Sequence, residues 1–124
     1  MDITPVIPKT LQTITGYGDG GFKINGEHVS GSLLVYAETV TPWAVQSAGD
    51  IDFKQLAEWC AQRTGIELLL LGSGISLLQP PPQARQILRQ QGIALEVMNT
   101  GAACRTYNVL LAEERKVAAA LVAL

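Results

Sequence analysis

The sequence predicts a single α/β domain with a parallel β-α-β unit at its centre. Residues 66–71 and 93–98 are nearly continuous apolar runs, as expected of strands that are covered on both faces, and a helical segment separates them. Residues 14–31 are rich in glycine, which indicates short strands joined by tight turns. At 124 residues, the chain is long enough for one continuous core and too short for two.

The N-terminal half is predicted to be largely extended. Residues 1–13 contain two prolines and show weak periodicity, so we expect an extended arm followed by a single domain over residues 14–124. Residues 32–38 are predicted as a strand. A second extended segment begins at Thr41, because Pro42 restricts the residue before it to extended geometry.

The first helix is predicted over residues 52–64. Asp50 or Asp52 can cap its N-terminus, and Gly65 is placed to end it. Its apolar stripe has helical spacing and consists of Phe53, Leu56, Ala57 and Cys60.

A second helix is predicted over residues 83–91. Prolines 80–82 suit its entry and Gly92 closes it. With strands 66–71 and 93–98 on either side, it completes a β-α-β unit, which we expect to be right-handed.

The third helix is predicted to begin at Asn99 or Thr100 and to reach about Glu113. The tail, residues 116–124, is ambiguous. Its alanine content favours a helix, whereas burial on both faces would favour a final strand.

Composition excludes several classes of function. The formal net charge is −2 and only 16% of residues are charged, so neither nucleic acid nor anionic lipid finds a basic surface. The longest apolar run is far shorter than the roughly 20 residues that a spanning helix needs, and the N-terminus lacks the pattern of a secretory signal. Cys60 and Cys104 do not form a disulfide framework, so we expect a reduced cytoplasmic protein, at most peripherally associated with a membrane.

Cofactor and metal motifs are incomplete. Gly72-Ser-Gly74 follows a predicted strand, but the dinucleotide-binding pattern fails at Leu77 and prolines occupy the start of the helix that should hold phosphate. His28 is the single histidine, and no group of potential ligands has metal-binding spacing. We therefore predict no cofactor and no metal, and we favour a non-enzymatic protein over an enzyme.

Cys104 is the most reactive-looking side chain in the sequence. A thiolate in the first turns of a helix and beside Arg105 would be stabilised by the helix dipole and by positive charge. A nucleophile also needs a base, and His28 lies in the distant hairpin region. The alternative is that Cys104 is a small residue packed against the sheet.

A polar crevice is a second candidate site. Thr100, Cys104 and Asn108 share one helix face, and this face meets the Gly72-Ser-Gly74 turn at the carboxyl ends of the parallel strands, where open α/β sheets bind ligands. These polar groups could instead satisfy buried backbone groups near the strand ends. The full candidate set is Gly72, Ser73, Gly74, Thr100, Cys104, Arg105 and Asn108.

Several motifs, in order along residues 14–122, resemble the Mth938-like family, also called domain of unknown function 498. They are Ile14-Thr-Gly-Tyr-Gly18, Phe22-x-Ile-Asn-Gly26, Gly31-Ser-Leu-Leu-Val35, Trp43, Glu67-Leu-Leu-Leu-Leu-Gly-Ser-Gly74, Glu96-Val-Met-Asn-Thr-Gly-Ala-Ala-Cys-Arg-Thr-Tyr-Asn-Val-Leu110 and Arg115-x-Val-Ala-Ala-Ala-Leu121. The resemblance implies a three-layer fold with a central mixed sheet, helices on both faces and extra β-structure in the N-terminal half. It also implies that the tail is a strand antiparallel to the others. Glu114 stands where the family often has glycine, which leaves the geometry of that turn open.

The resemblance implies function less directly, because the family has no agreed catalytic residues. Its mitochondrial member assists assembly of respiratory complex I. Our leading hypothesis is a non-enzymatic assembly or adaptor factor that binds respiratory subunits and is a monomer or weak homodimer. The alternative is a small-molecule protein or enzyme, in which Arg105 and the helix N-terminus hold an anion in the crevice.

Overall fold

The computed structural model describes residues 11–124, which form two β-sheets and three α-helices. The strands are β1 (Ile14–Gly18), β2 (Gly21–Ile24), β3 (Glu27–Ser30), β4 (Ser32–Tyr36), β5 (Thr39–Trp43), β6 (Leu68–Gly72), β7 (Ala94–Met98) and β8 (Val117–Leu121). The helices are α1 (Phe53–Ala61), α2 (Pro82–Arg89) and α3 (Thr100–Ala112). Most of the arm predicted for residues 1–13 lies outside the described residues.

The central sheet is mixed and has the strand order β5-β4-β8-β6-β7. Strands β6 and β7 pair in parallel, with Leu68 opposite Ala94 and Gly72 opposite Met98. Since α2 connects these two strands, the predicted parallel β-α-β core is confirmed. The glycine-rich segment forms a separate antiparallel sheet of order β1-β2-β3, also as predicted.

The direction of the last strand needs a correction. The tail is a strand, but the expectation that it runs antiparallel to the others holds only for its neighbour β4. Strand β8 is parallel to β6, and therefore also to β7. The physical reason is the connection through α3, because a helical crossover returns the chain to the end of the sheet from which the previous strand started.

Side chains alternate between the two faces of the central sheet and divide the core into two halves. On one face, Leu69 and Leu71 of β6 pack with α1 and α2. On the other face, Leu70 packs with α3 and with the small sheet. Helices therefore cover both faces, and the predicted three-layer arrangement is confirmed.

Helix α1 is capped by Asp52, whose carboxylate accepts hydrogen bonds from the backbone N–H groups of Lys54 and Gln55 at 3.0 and 3.2 Å. Its end differs from the prediction, because the helix stops at Ala61 rather than near Gly65. The Arg63 guanidinium donates to the Trp59 carbonyl at 2.8 Å. One of the last helical carbonyls thus has a side-chain partner, and the helix ends without using Gly65 as its cap.

The other helix boundaries follow the sequence closely. Pro82 is the first residue of α2, where its missing N–H removes no helical hydrogen bond. Asn99 rather than Thr100 caps α3, since its side chain accepts from the backbone N–H of Ala102 at 2.8 Å. Strand β6 is shifted by one or two residues from the predicted range 66–71.

The turn between α3 and β8 is a Schellman motif without glycine. The N–H of Arg115 donates to the Leu110 carbonyl and the N–H of Glu114 to the Leu111 carbonyl, both at 3.0 Å. Glu114 has a φ of 61°, the left-handed conformation that glycine normally supplies. The missing glycine therefore leaves the turn geometry intact and introduces local backbone strain.

Replacing Glu114 by glycine should stabilise the protein by roughly 0.5–1 kcal/mol. The left-handed conformation costs a residue with a β-carbon about 1–2 kcal/mol, and the greater freedom of glycine in the unfolded chain offsets roughly half of that. The measurement is the urea midpoint of Glu114→Gly against wild type. Glu113→Gly is the matched control, because Glu113 has a negative φ of −85° and gains nothing from glycine. Equal effects of the two variants would contradict the conclusion that Glu114 is strained by its left-handed conformation.

Candidate functional site

Of the predicted crevice residues, Gly72 and Gly74 meet Thr100 at the carboxyl ends of the parallel strands, whereas Arg105 and Asn108 contact β1. The Thr100 hydroxyl accepts from the Gly74 N–H at 2.9 Å and donates to the Val122 carbonyl at 2.7 Å. The backbone N–H of Thr100 donates to the Gly74 carbonyl at 2.9 Å, and Val122 donates to the Gly72 carbonyl at 2.8 Å. Thr100 is fully buried. Its side chain thus joins the segments that follow β6 and β8.

Close packing leaves no room for a ligand between these segments. A β-carbon placed on Gly72 would lie 3.0 Å from the Thr100 Cα and 3.1 Å from the Ala103 Cβ. Glycine is needed here because α3 rests directly on the end of β6. A ligand could enter the expected crevice only by displacing these contacts.

The polar face of α3 holds the small sheet. The Asn108 side chain accepts from the Ile14 N–H at 3.0 Å and donates to the Ile14 carbonyl at 2.6 Å, so it pairs with β1 as a neighbouring strand would. One turn earlier, the Arg105 guanidinium donates to the Tyr17 hydroxyl at 3.2 Å. A β-carbon on Gly101 would lie 2.6 Å from that hydroxyl oxygen, so the helix has no side chain where Tyr17 packs.

Cys104 is buried in the core between α3 and the central sheet, with 2% of its surface exposed. Burial raises the pKa of its thiol to about 12, since the thiolate would lose its hydration, and the charge of Arg105 only partly opposes this. The expected activation by the helix and by Arg105 is therefore outweighed by burial, and the geometry favours the structural alternative.

The buried thiols predict a loss of stability at alkaline pH. The pKa of Cys104 rises from 9.0 to about 12 and burial raises that of Cys60 to about 11. Between pH 9 and these values the unfolded chain releases protons that the folded chain retains, so the free energy of unfolding falls as pH rises. Urea unfolding from pH 8 to 10.5 should show this slope, and Cys104→Ala should reduce it. An unchanged slope in Cys104→Ala would contradict the raised pKa.

Replacing Asn108 by alanine should destabilise the protein by about 1–3 kcal/mol, because the N–H and C=O of Ile14 lose their partners in a part-buried position. The comparison is Arg105→Ala, which removes one exposed hydrogen bond and should cost no more than about 0.5 kcal/mol. Urea midpoints measure both values. Equal losses would show that the Asn108 contacts contribute little to holding β1.

Sequence reasoning missed a surface that the structure brings together at the same end of the sheet. Among residues 11–124, the exposed large apolar side chains are Tyr17, Ile75, Leu77, Leu124 and Val109. Ile75, Leu77 and Leu124 lie on the segments that follow β6 and β8, and Tyr17 of β1 contacts Gly101 in the first turn of α3. We call Tyr17, Ile75, Leu77 and Leu124 the apolar end. A signal was present in the sequence, because the uncharged residues 72–84 place Ile75, Leu77 and Leu78 among glycine, serine and proline, which are typical of loops.

The opposite end of the sheet is polar. An open groove of about 470 Å³ lies at the start of β7, and its rim carries Glu67, Arg85, Arg89 and Glu96. Arg85 also donates to the backbone carbonyl of Leu95, so part of this exposed sheet edge is already occupied. Within the described chain, no three potential ligands are grouped to hold a metal ion. Nor do residues 11–124 contain a helix long and apolar enough to cross a membrane.

The architecture is shared with solved bacterial structures. A Bordetella parapertussis protein superposes with a TM-score of 0.85 at 36% identity, covering 94% of this chain and 99% of that one. A Bordetella pertussis protein described as a Mth938-like domain gives a TM-score of 0.82 at 30% identity, with 98% and 92% of the two chains covered. The fold class is therefore that of the Mth938-like α/β domains.

Residues 14–122 match the family model described as protein of unknown function (DUF498/DUF598), and the chain belongs to that family. A Xenopus tropicalis relative named NADH dehydrogenase [ubiquinone] 1 alpha subcomplex assembly factor 3 is 37% identical over 109 residues, covering 88% of this chain and 60% of that protein. An uncharacterised Rhodobacter capsulatus protein is 40% identical over 108 residues, covering 87% and 82%. The chain thus spans about 60% of the length of the named assembly factor.

Proposed function

We propose that this protein is a non-enzymatic assembly factor that binds subunits of respiratory complex I at the cytoplasmic side of the membrane. The observation that carries the proposal is the extent of the match to the named assembly factors. The Xenopus tropicalis protein is 37% identical over 109 residues, which are 88% of this chain, and the family match spans residues 14–122, from the first strand to the last. The extent of the family match supports a function that depends on the α/β domain itself.

The geometry of the polar residues supports a binding role over catalysis. Thr100 and Asn108 use their side-chain hydrogen bonds on the protein's own backbone. The Cys104 thiol is buried, and its raised pKa keeps it protonated at neutral pH. The candidate polar site is thus composed of groups that stabilise the fold.

Affinity purification from native cells tests the proposal. Tagged protein is recovered from detergent-solubilised membranes, and complex I subunits should be enriched over a tagged unrelated control of similar size. In a strain that lacks the gene, native gels should show less assembled complex I, and the tagged protein should restore it. Recovery of no respiratory subunit, together with normal complex I in the deletion strain, would reject the function.

A further inference from the structure

We infer that the apolar end is the docking surface of this protein and that it inserts into a concave apolar pocket on a protein partner. The inference rests on the proposed function only for the partner's identity, a subunit of complex I. Its four members, Tyr17, Ile75, Leu77 and Leu124, come from three distant segments of the sequence, and the fold brings these segments to one edge of the sheet.

The exposure of these side chains is unusual. Ile75 is 87% exposed and Leu77 68% exposed, both within the loop that follows β6. Single exposed aliphatics are common on protein surfaces, whereas several apolar side chains grouped at one end are characteristic of interaction sites. Because Ile75 projects almost completely into solvent, a flat partner could cover little of it, so the complementary surface must be concave.

Hydrogen bonds and a packing contact hold the three segments of the apolar end together. Gly74, which precedes Ile75, is bonded through its N–H and its C=O to Thr100 at the start of α3. The Tyr17 ring contacts the same turn of α3, at Gly101. The hairpin turn after Tyr17 reaches the last segment, since the N–H of Gly20 donates to the Leu124 carbonyl at 2.6 Å.

The loop that carries Ile75 and Leu77 is fixed in its conformation. The buried Ser73 hydroxyl donates to the Ser76 carbonyl at 2.6 Å and accepts from the Leu78 N–H at 3.2 Å. The two aliphatic side chains therefore lie within a bridged turn. A surface that is already ordered loses little conformational entropy on binding, which favours affinity.

The distribution of charge selects the class of partner. Residues 72–84, 97–104 and 117–124, which follow or end the three parallel strands, contain no charged residue. The charged side chains near Tyr17 are Asp19, Lys23 and Arg105, so both signs of charge are present beside it. Membrane-inserting segments combine apolar residues with basic ones that attract anionic lipid, and such basic residues are missing from these segments. A neutral apolar surface instead matches the uncharged core of a protein interface.

Paired variants and site-specific photo-crosslinking test the inference. Ile75→Ser/Leu77→Ser removes the projecting groups, and Val109→Ser is the matched control, an equally aliphatic side chain that is 56% exposed on α3. Both should keep the wild-type melting temperature, because the replaced groups are exposed. A photo-reactive phenylalanine analogue is placed at position 75 or at position 109 in native cells, and adducts are identified by mass spectrometry.

The expected result is an adduct from position 75, and not from 109, to a complex I subunit. Recovery of that subunit should fall about tenfold or more in the double variant and stay unchanged in Val109→Ser, as expected when two aliphatic side chains lose their burial. A different result would overturn the docking surface and leave the proposed function standing. In that result, wild type and the double variant recover complex I subunits equally well, and position 75 gives no adduct.

Two further outcomes separate the hypotheses. Position 75 could instead crosslink to a different identified protein, and to no complex I subunit. If Leu77→Ser abolished that adduct, the result would support the docking surface and overturn the proposed function. Flotation of wild type, and not of the double variant, with phosphatidylethanolamine–phosphatidylglycerol vesicles would overturn the choice of a protein partner. An adduct to a second copy of this chain would overturn it as well.

Discussion

The small side chains of β8 set the distance between the layers of this molecule. Ala118 and Ala120 face the helices α1 and α2, while Ala119 faces α3 between Val117 and Leu121, and all five residues are buried. Because β8 pairs with the antiparallel β4 on one side and the parallel β6 on the other, it joins the two halves of the sheet. The sheet cannot be continuous until this C-terminal segment has inserted, so native pairing depends on contacts that are distant in sequence.

The same close approach explains why a polar cluster at a ligand-prone position is structural. Helix α3 rests on Gly72 at the end of β6, and this contact leaves backbone groups of two strand ends away from solvent. Thr100 satisfies them at the start of the helix, and Asn108, about two turns further on, does the same for β1. Buried polar groups need partners, and here those partners are the protein's own segments.

Residue patterns predicted the strands and helices well because their signals are local. The apolar run of β6, the prolines before α2 and the cap at Asn99 each act within a few residues. The direction of β8 relative to β6 depends on how α3 crosses the sheet, which no local pattern encodes. Both interpretations of Cys104 stayed open for a similar reason, since helix position and a neighbouring arginine are visible in the sequence and the depth of burial is not.

The parallel direction of three strands brings separate uncharged segments together into one surface. An uncharged loop after β6, an uncharged start of α3 and an uncharged tail after β8 are far apart in the chain. Parallel β6, β7 and β8 bring all three to one edge, whereas Arg85, Arg89, Glu67 and Glu96 collect around the start of β7. An interface at the uncharged edge would depend on the burial of apolar area. Its affinity should therefore vary little with salt concentration and should depend mainly on how well the two surfaces fit. The charged end lies at the opposite edge of the sheet, so its side chains would stay hydrated while the uncharged edge is engaged.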